Sequence, residues 1–281
     1  MTSDVSVIIP CYNDGLYITN AVDSALNQTL LPKKIFIIDD GSSRSTREVL
    51  QSIDHPLVEV IYCQNEGVST ARNKGIGLTT TEWILTLDAD DYFESTFLEK
   101  AFDVLRTTPN TSIVSSFYKK FGDSASTNII RPTGGTIKNF LVRNNGIASA
   151  LFKKKCWVDV NGYDTQFDKG YEDWDFWISV LAKGYNMHII PEVLFNYRIK
   201  PNSRDHNAVR NHDVSLRRKL YKKHKKVYIE NIDSVMDQMI HTNAHLKNTI
   251  LKRENSLDYR LGKAMLAPLR WIKRICLRES I

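Results

Sequence analysis

VSVIIP, which spans Val5–Pro10, opens a chain in which short apolar runs alternate with segments of helical spacing. The predicted strands of this first half are Val5–Pro10, Lys34–Asp39, Val58–Cys63 and Trp83–Asp88. The predicted helices are Tyr17–Leu26, Thr46–Ile53, Ser69–Leu78 (opened by Ser69) and about Ser95–Arg106. Such alternation indicates βαβ units and a mostly parallel sheet. The nearly continuous apolar character of the strands supports this prediction, because parallel strands are covered on both faces.

The order of elements is less regular after the fourth helix. We predict strands over Ser112–Phe121, Met187–Ile190 and Leu194–Arg198, a loop over Thr133–Thr136, and a helix over Trp174–Ala182. From about residue 207 the chain is polar, basic and helical in pattern. We therefore predict an α/β domain over residues 1–203 and a basic helical region over residues 204–281.

The two predicted regions differ in charge. Residues 1–203 carry 20 Lys and Arg against 24 Asp and Glu, whereas residues 204–281 carry 18 against 8. The usual partners of a basic tail are nucleic acid or an anionic membrane surface. Because the tail lacks a recognisable nucleic-acid-binding motif, we expect no nucleic-acid partner.

The cysteines and the N-terminus indicate a cytoplasmic protein. Cys11, Cys63, Cys156 and Cys276 are far apart and form no metal-thiolate or disulfide pattern, which is typical of reduced thiols. The N-terminus does not resemble a secretory signal. No stretch reaches the roughly 18–20 apolar residues that a spanning helix needs, so any contact with a membrane would be peripheral.

Polar motifs follow each of the first four predicted strands. They are Pro10-Cys11-Tyr12-Asn13, Asp39-Asp40-Gly41-Ser42, Asn65-Glu66-Gly67 and Asp88-Ala89-Asp90-Asp91. Each one alone is compatible with turn chemistry. Because ligands of open α/β sheets bind outside the carboxyl ends of the strands, four such motifs together predict one ligand crevice.

Asp88-Ala89-Asp90-Asp91 is the most informative motif. Three carboxylates in four residues repel one another unless a cation lies among them. Their hard oxygen atoms suit Mg²⁺ or Mn²⁺, typically together with substrate phosphates. The alternative is that Asp90 or Asp91 caps a following helix, which accounts for only one of the three.

Two further groups suggest binding and catalysis. Arg72 and Asn73 lie in the first turns of a predicted helix, where Arg72 either contacts a phosphate or a base or is simply solvated. Tyr171-Glu172-Asp173-Trp174-Asp175 contains a carboxylate suited to act as a general base. The alternative is that Glu172 or Asp173 caps the helix over Trp174–Ala182. For Trp177 we favour a place in the core.

The ordered set of motifs resembles the GT-A-fold glycosyltransferases of family 2. The matching stretches are VSVIIPCYN, IIDDGS, NEGVSTARNKG, LTLDADD and GYEDWDFW, and the resemblance covers about residues 4–200. It implies a mostly parallel sheet flanked by helices. It also implies an inverting, metal-dependent transfer of a sugar from a nucleotide diphosphate to an acceptor hydroxyl, in cell-surface polysaccharide assembly.

The resemblance also implies roles for individual residues. Pro10 and Tyr12 would lie along the nucleoside, Asp40 would bind the base, and Asp39 would support the ribose region. Asp90 would bind Mn²⁺ or Mg²⁺ directly, with Asp88 near the ribose and the metal, and Asp173 would be the catalytic base. Further candidates for donor binding are Asn13, Arg72 and Asn73, and candidates for the acceptor side are Glu172 and Trp174. By resemblance alone, a UDP-sugar is the expected donor.

Two other functions compete with this interpretation. A sugar-phosphate nucleotidyltransferase needs a Gly-rich loop with a basic residue directly after the first strand, where this chain has Pro10-Cys11-Tyr12-Asn13. A non-catalytic binding module on the same fold would not need Asp88, Asp90 and Asp173 to be intact.

The C-terminal region contains a predicted basic amphipathic helix over about Ser256–Cys276. An apolar stripe recurs at helical spacing, formed by Leu257, Leu261, Met265, Leu269, Ile272 and Cys276. Basic residues and Trp271 accompany the stripe, which is typical of an interfacial helix. We therefore expect this helix to bind the inner face of the cytoplasmic membrane, where the acceptor would be a glycan or a lipid-linked glycan. The alternatives are packing on the catalytic domain or in a homodimer, and Pro268 is expected to kink the helix.

Overall fold

The computed structural model describes residues 3–122, 128–200 and 208–267. They form a nine-stranded mixed sheet flanked by helices, followed by a helical C-terminal region. The strands are β1 Val5–Cys11, β2 Lys34–Asp39, β3 Val58–Tyr62, β4 Trp83–Thr86, β5 Tyr92–Phe93, β6 Ile113–Gly122, β7 Ile129–Ile130, β8 Leu151–Lys153 and β9 Met187–Ile199. The α/β class predicted from the sequence is confirmed.

The helices of the first part pack around this sheet. They are α1 Ile18–Leu26, α2 Arg44–Gln51, α3 Val68–Leu78, α4 Phe97–Thr107, α5 Ile137–Phe140, α6 Lys154–Asp159 and α7 Glu172–Leu181. A π-helical turn over Ala208–His212 leads into α8 Asp213–Lys223 and α9 Lys225–Glu230. The predicted opening of the third helix by Ser69 is wrong, because α3 begins at Val68 after Gly67 and no side chain caps it.

The sheet has the strand order β3-β2-β1-β4-β8-β6-β9-β5, with β7 paired to β6. The first four strands are parallel, as predicted. The rest of the sheet is mixed, because β8 runs antiparallel to both β4 and β6 whereas β6 and β9 are parallel. An exclusively parallel arrangement is therefore confined to β1–β4, and the later strands pair in both directions.

The predicted strands Met187–Ile190 and Leu194–Arg198 form one strand, β9, in the structure. Ser116 of β6 aligns with Ile190 and Phe117 aligns with Val193, so two residues of β9 bulge out between them. One of the two is Pro191, which has no N–H to donate to the ladder. The sequence therefore shows a break in the pattern where the structure has a bulge.

The core lies on both faces of the central strands. All seven residues of β1 are buried. Val7 and Ile9 pack with Ile18 and Phe97 in one cluster, whereas the alternate residue Ile8 faces α3. There a Cβ on Gly75 would lie 2.7 Å from Ile8 Cγ2, so only glycine allows α3 this close to the sheet. The position of α3 matters because this helix carries Arg72 and Asn73.

The chain divides into two compact units, Met1–Glu230 and Asn231–Ile281. The boundary predicted near residue 203 rests on composition and falls within residues 201–207, which lie outside the described residues. The second unit contains α10 Ile232–Glu254 and α11 Leu257–Met265. No described helix is long and apolar enough to cross a bilayer. The predicted interfacial helix is described only as far as residue 267, so Pro268, Leu269, Trp271, Ile272 and Cys276 lie outside this range.

Candidate active site

A cavity of about 610 Å³ opens at the carboxyl ends of the parallel strands. All four strand-end motifs contribute lining residues, among them Pro10, Tyr12, Asp40, Gly67, Asp88 and Asp90. Residues from the later part of the chain close the opposite side, including Tyr118, Asn144, Asp173, Trp174, Tyr197 and Lys200. The crevice predicted from the order of the motifs is therefore present, and its volume is typical of small-molecule sites.

Asp39 and Asn13 support this cavity from behind and are not among its lining residues. Asp39 is fully buried and accepts hydrogen bonds from Ser42 N at 3.0 Å and Arg47 Nε at 2.8 Å. Asn13 has a left-handed backbone, with φ of 60°, and its Oδ1 accepts from Ser43 N at 2.7 Å. The bond between Asn13 and Ser43 joins the loops after β1 and β2.

Asp40 lies in the wall of the cavity and organises the loop after β3. Its Oδ1 accepts from Glu66 N at 2.8 Å, and its Oδ2 accepts from Gly67 N at 2.9 Å. Each carboxylate oxygen has a second lone pair, so a further hydrogen bond remains chemically available. Binding of a nucleotide base by Asp40 stays a prediction.

Asn73 is not among the lining residues of the cavity, and its side chain fixes a neighbouring loop. Its Oδ1 accepts from Tyr163 N at 2.8 Å and Trp157 Nε1 at 2.9 Å, and its Nδ2 donates to Tyr163 O at 2.8 Å. These bonds hold the loop that leads towards α7. These contacts indicate that Asn73 has a structural role. Donor binding by its side chain stays a prediction.

Arg72 joins the two halves of the site from inside the protein. Its guanidinium is buried and donates to Asp88 Oδ1 at 2.6 Å and to Glu172 Oε1 at 3.0 Å. Burial disfavours the charged guanidinium, but the two carboxylates outweigh this effect and hold the pKa of Arg72 above its usual value. Arg72 Nε has no hydrogen-bond partner within the described ranges. The solvated alternative considered for Arg72 is therefore wrong.

The Asp88-Ala89-Asp90-Asp91 motif does not cap a helix. The next helix, α4, begins at Phe97, so the capping alternative is wrong. Arg198 fixes the motif by donating from its N to Asp91 Oδ1 at 2.7 Å and from its Nε to Asp90 O at 2.9 Å. Burial raises the pKa of Asp91 well above its ordinary value, and the charges of Asp90 and Asp88 raise it further.

Lys200 is the third cationic side chain at this motif, after Arg72 and Arg198. Its ammonium lies 2.6 Å from Asp14 Oδ1 and 2.7 Å from Asp90 Oδ2. Burial raises the pKa of Asp90 even though Lys200 donates to it. Burial alone would lower the pKa of Lys200, but the hydrogen bonds to Asp14 and Asp90 raise it overall.

The donor atoms available to a divalent cation are the partly exposed carboxylates of Asp88 and Asp90. These side chains are 30% and 18% exposed, and both line the cavity. No group of three or more His, Cys, Asp or Glu side chains suited to hold an ion occurs in the described part of the chain. Two hard oxygen donors fit Mg²⁺ or Mn²⁺ when substrate phosphates complete the coordination. The residues therefore fit a cation that is bound together with its nucleotide.

Asp173 lies across the cavity in the first turn of α7. Its Oδ2 accepts from Asn144 Nδ2 at 2.8 Å, and the N-terminus of the helix favours its negative charge. The helix begins at Glu172 and no side chain caps it, so the capping alternative for Glu172 and Asp173 is wrong. The preceding residue, Tyr171, has a left-handed backbone with φ of 64°. Such conformations are costly and concentrate at functional sites.

Glu172 and Trp174, predicted for the acceptor side, both line the cavity but are buried. Glu172 is bound to Arg72, while Trp174 Nε1 donates to Phe140 O at 2.6 Å. The guanidinium of Arg217 lies 5.0 Å from the Trp174 ring. Trp177 is fully buried, as the sequence predicts.

Several lining residues were not found from the sequence. Asp14 directly follows the first motif, and this proximity is a signal that could have identified it. Lys200 and Asn144 belong to no motif, and their partners are far away in the chain. Arg198 is the last residue of a predicted strand, and the sequence assigns it no role.

The sequence model of glycosyl transferase family 2 matches residues 6–155. The chain is 39% identical over 104 residues to a chondroitin synthase of Escherichia coli, which is 36% of this chain and 15% of that protein. It is 29% identical over 204 residues to the putative teichuronic acid biosynthesis glycosyltransferase TuaG of Bacillus subtilis, covering 71% of this chain and 80% of that one. The chain thus spans only a small part of the chondroitin synthase and most of TuaG.

The fold is also similar to solved structures of S. aureus TarS. The crystal structure of TarS 1-349 in complex with UDP-GlcNAc superposes with a TM-score of 0.61 at 18% sequence identity, covering 73% of this chain and 61% of that chain. This likeness agrees with the GT-A fold that the motifs imply. Since the family model covers more than half of the sequence, the chain belongs to glycosyl transferase family 2.

Proposed function

We propose that the chain is an inverting glycosyltransferase that moves a sugar from a UDP-sugar to an acceptor hydroxyl. The observation that carries this proposal is the placement of Asp173 and of the Asp88–Asp91 motif in the walls of one cavity. Buried Arg72 joins Asp88 to Glu172, which directly precedes Asp173 in α7. A single displacement at the anomeric carbon requires a base on the acceptor side. On the opposite side it requires a site, here the carboxylates with their proposed cation, that stabilises the departing diphosphate. The UDP and UDP-GlcNAc complexes of TarS support the choice of donor.

In the proposed reaction Asp173 Oδ takes the proton of the acceptor hydroxyl while the acceptor oxygen attacks the anomeric carbon of the donor. Asn144 holds this carboxylate in place through its amide. The bond to the diphosphate breaks on the opposite side, so the configuration inverts. Mg²⁺ or Mn²⁺ held by Asp90 and Asp88 would balance the charge of the leaving diphosphate. Asp40 and Tyr12 would contact the nucleoside.

A panel of nucleotide sugars tests the donor and the cation together. We expect diphosphate release from a UDP-sugar with Mn²⁺ and little release with EDTA. The Asp90→Asn variant should be as inactive with Mn²⁺ as the wild-type protein is with EDTA. The Asp103→Asn variant, which changes an exposed residue, should keep the wild-type activity. Release with a guanosine donor only would refute the UDP assignment, and equal rates with EDTA would refute the cation. No release from any donor would contradict the enzymatic function.

We further propose that the acceptor is a glycan or a lipid-linked glycan used in surface polysaccharide assembly. The names of the chondroitin synthase and of TuaG support this class. The enzyme would then work in the cytoplasm, at the inner face of the membrane, and the basic C-terminal helix would hold it there. Leu257, Leu261 and Met265 are exposed on α11, where they leave an apolar stripe available.

Vesicle co-sedimentation tests the membrane proposal. Full-length protein should pellet with anionic vesicles, and less at high salt, because each basic residue near anionic lipid contributes about 1 kcal/mol that salt screens. A chain truncated after Arg253 should remain in the supernatant. Identical behaviour of the two proteins would mean that the helix packs on protein, either on the catalytic domain or in a homodimer.

A further inference from the structure

Lys200 is paired with Asp90, the carboxylate that the proposed function assigns as a ligand of the divalent cation. Its ammonium bridges Asp14 Oδ1 at 2.6 Å and Asp90 Oδ2 at 2.7 Å, and the Lys200 side chain is 27% exposed. It also lies 5.4 Å from the centre of the Tyr17 ring. A positive charge of the chain itself is therefore already paired with Asp90.

Asp88, the other carboxylate assigned to the divalent cation, is also paired with a basic side chain. Asp88 is paired with Arg72, whose burial and second contact with Glu172 fix it in place. A divalent cation entering between Asp88 and Asp90 meets two positive groups of the protein. Like charges at such short range repel strongly. One of the two must move for the divalent cation to bind well.

Lys200 is the group that can move. The neighbouring Arg198 is held by Asp90 O and Asp91 and lies 4.4 Å from the ring centres of both Tyr17 and Phe121, so the end of β9 is anchored. The Lys200 side chain has a flexible four-carbon stem that ends in a point charge. Lysine is a common phosphate ligand, so a diphosphate in the cavity would attract this ammonium.

We propose that Lys200 competes with the divalent cation for Asp90, and that nucleotide diphosphate relieves the competition by drawing the ammonium away. The cation and the nucleotide then bind cooperatively, each raising the affinity of the other by the same factor. This inference rests on the proposed function, since it takes Asp90 as the cation ligand. It adds a residue that couples the binding of the cation to the binding of the nucleotide.

Titration of Mn²⁺ with and without saturating UDP, followed by the electron paramagnetic resonance signal of free Mn²⁺, tests the proposal. The wild-type protein should bind Mn²⁺ weakly alone and much more tightly with UDP. Lys200→Met should bind Mn²⁺ alone about tenfold more tightly, and the ratio of the two affinities should fall about tenfold. Lys200→Arg keeps the charge and should behave as wild type does.

Lys155→Met is the matched control, because it removes one positive charge from an exposed pair with Asp159 on α6. It should leave both Mn²⁺ affinities unchanged. If Lys200→Met binds Mn²⁺ alone no more tightly than wild type, the competition is refuted while the cation site stands. If no protein binds Mn²⁺ even with UDP, the cation site of the proposed function is refuted, and the inference falls with it.

Discussion

Asp173→Asn should lower glycosyl transfer by about 10²–10⁴-fold, the usual effect of losing a general base. The amide cannot accept the acceptor's proton, but it fills the same space and can still bond to Asn144. Because the proposed base acts on the acceptor, binding of the donor should change little. Steady-state transfer rates together with calorimetric UDP binding measure both quantities on the same preparation.

Asp23→Asn provides the control for this prediction, because Asp23 is an exposed carboxylate on α1, away from the lining of the cavity. It should transfer at the wild-type rate. If Asp173→Asn loses UDP affinity in parallel with its rate, Asp173 belongs to the donor side. If it transfers normally, another group takes the proton and the proposed mechanism is wrong.

Arg72→Met should lower the free energy of unfolding by about 3–5 kcal/mol, the usual cost of removing one partner from a buried ion pair. The variant leaves the buried carboxylate of Glu172 and the partly buried one of Asp88 facing each other without a cation. Urea denaturation followed by circular dichroism measures the loss. Arg44→Met removes an exposed pair with Glu48 and should cost no more than about 1 kcal/mol.

The double variant Arg72→Met/Glu172→Gln separates charge from packing. Neutralising Glu172 removes most of the unpaired buried charge, so this protein should be more stable than Arg72→Met alone. If Arg72→Met is as stable as Arg44→Met but no longer binds UDP, the arginine acts on the donor instead, as the sequence suggested. A variant that loses neither stability nor UDP binding would contradict both roles.

The half of the cavity at the strand ends could be predicted from the sequence because it depends on parallel strands. Pro10, Asp40 and Asp88 each follow a strand, and the carboxyl ends of parallel strands meet at one edge of the sheet. Knowing the strands was therefore enough to bring these residues together. Their detailed contacts were less predictable, because hydrogen bonds tie Asn73 to the backbone of Tyr163 and Asp39 to Arg47 of α2.

The other half of the site could not be predicted in this way. Lys200 and Asp14 are separated by 186 positions, and their contact joins the end of β9, which lies between β6 and β5, to the loop after β1. No periodic pattern encodes that pairing. The start of α7 was also misplaced, because the left-handed backbone at Tyr171 lets the helix begin at Glu172, ahead of the apolar spacing from which Trp174 was chosen.

Two adjacent residues of α3 give this helix a practical importance for chimeric enzymes. Arg72 holds Glu172, and Asn73 holds the backbone of Tyr163. One turn of α3 therefore supports both ends of the segment over residues 163–172. Transplanting residues 163–174 from another family member, as an attempt to change the acceptor, would place foreign side chains on these two supports. A graft that lacks an acid at position 172 should fold poorly whatever acceptor it was chosen for, so α3 should be exchanged together with the segment.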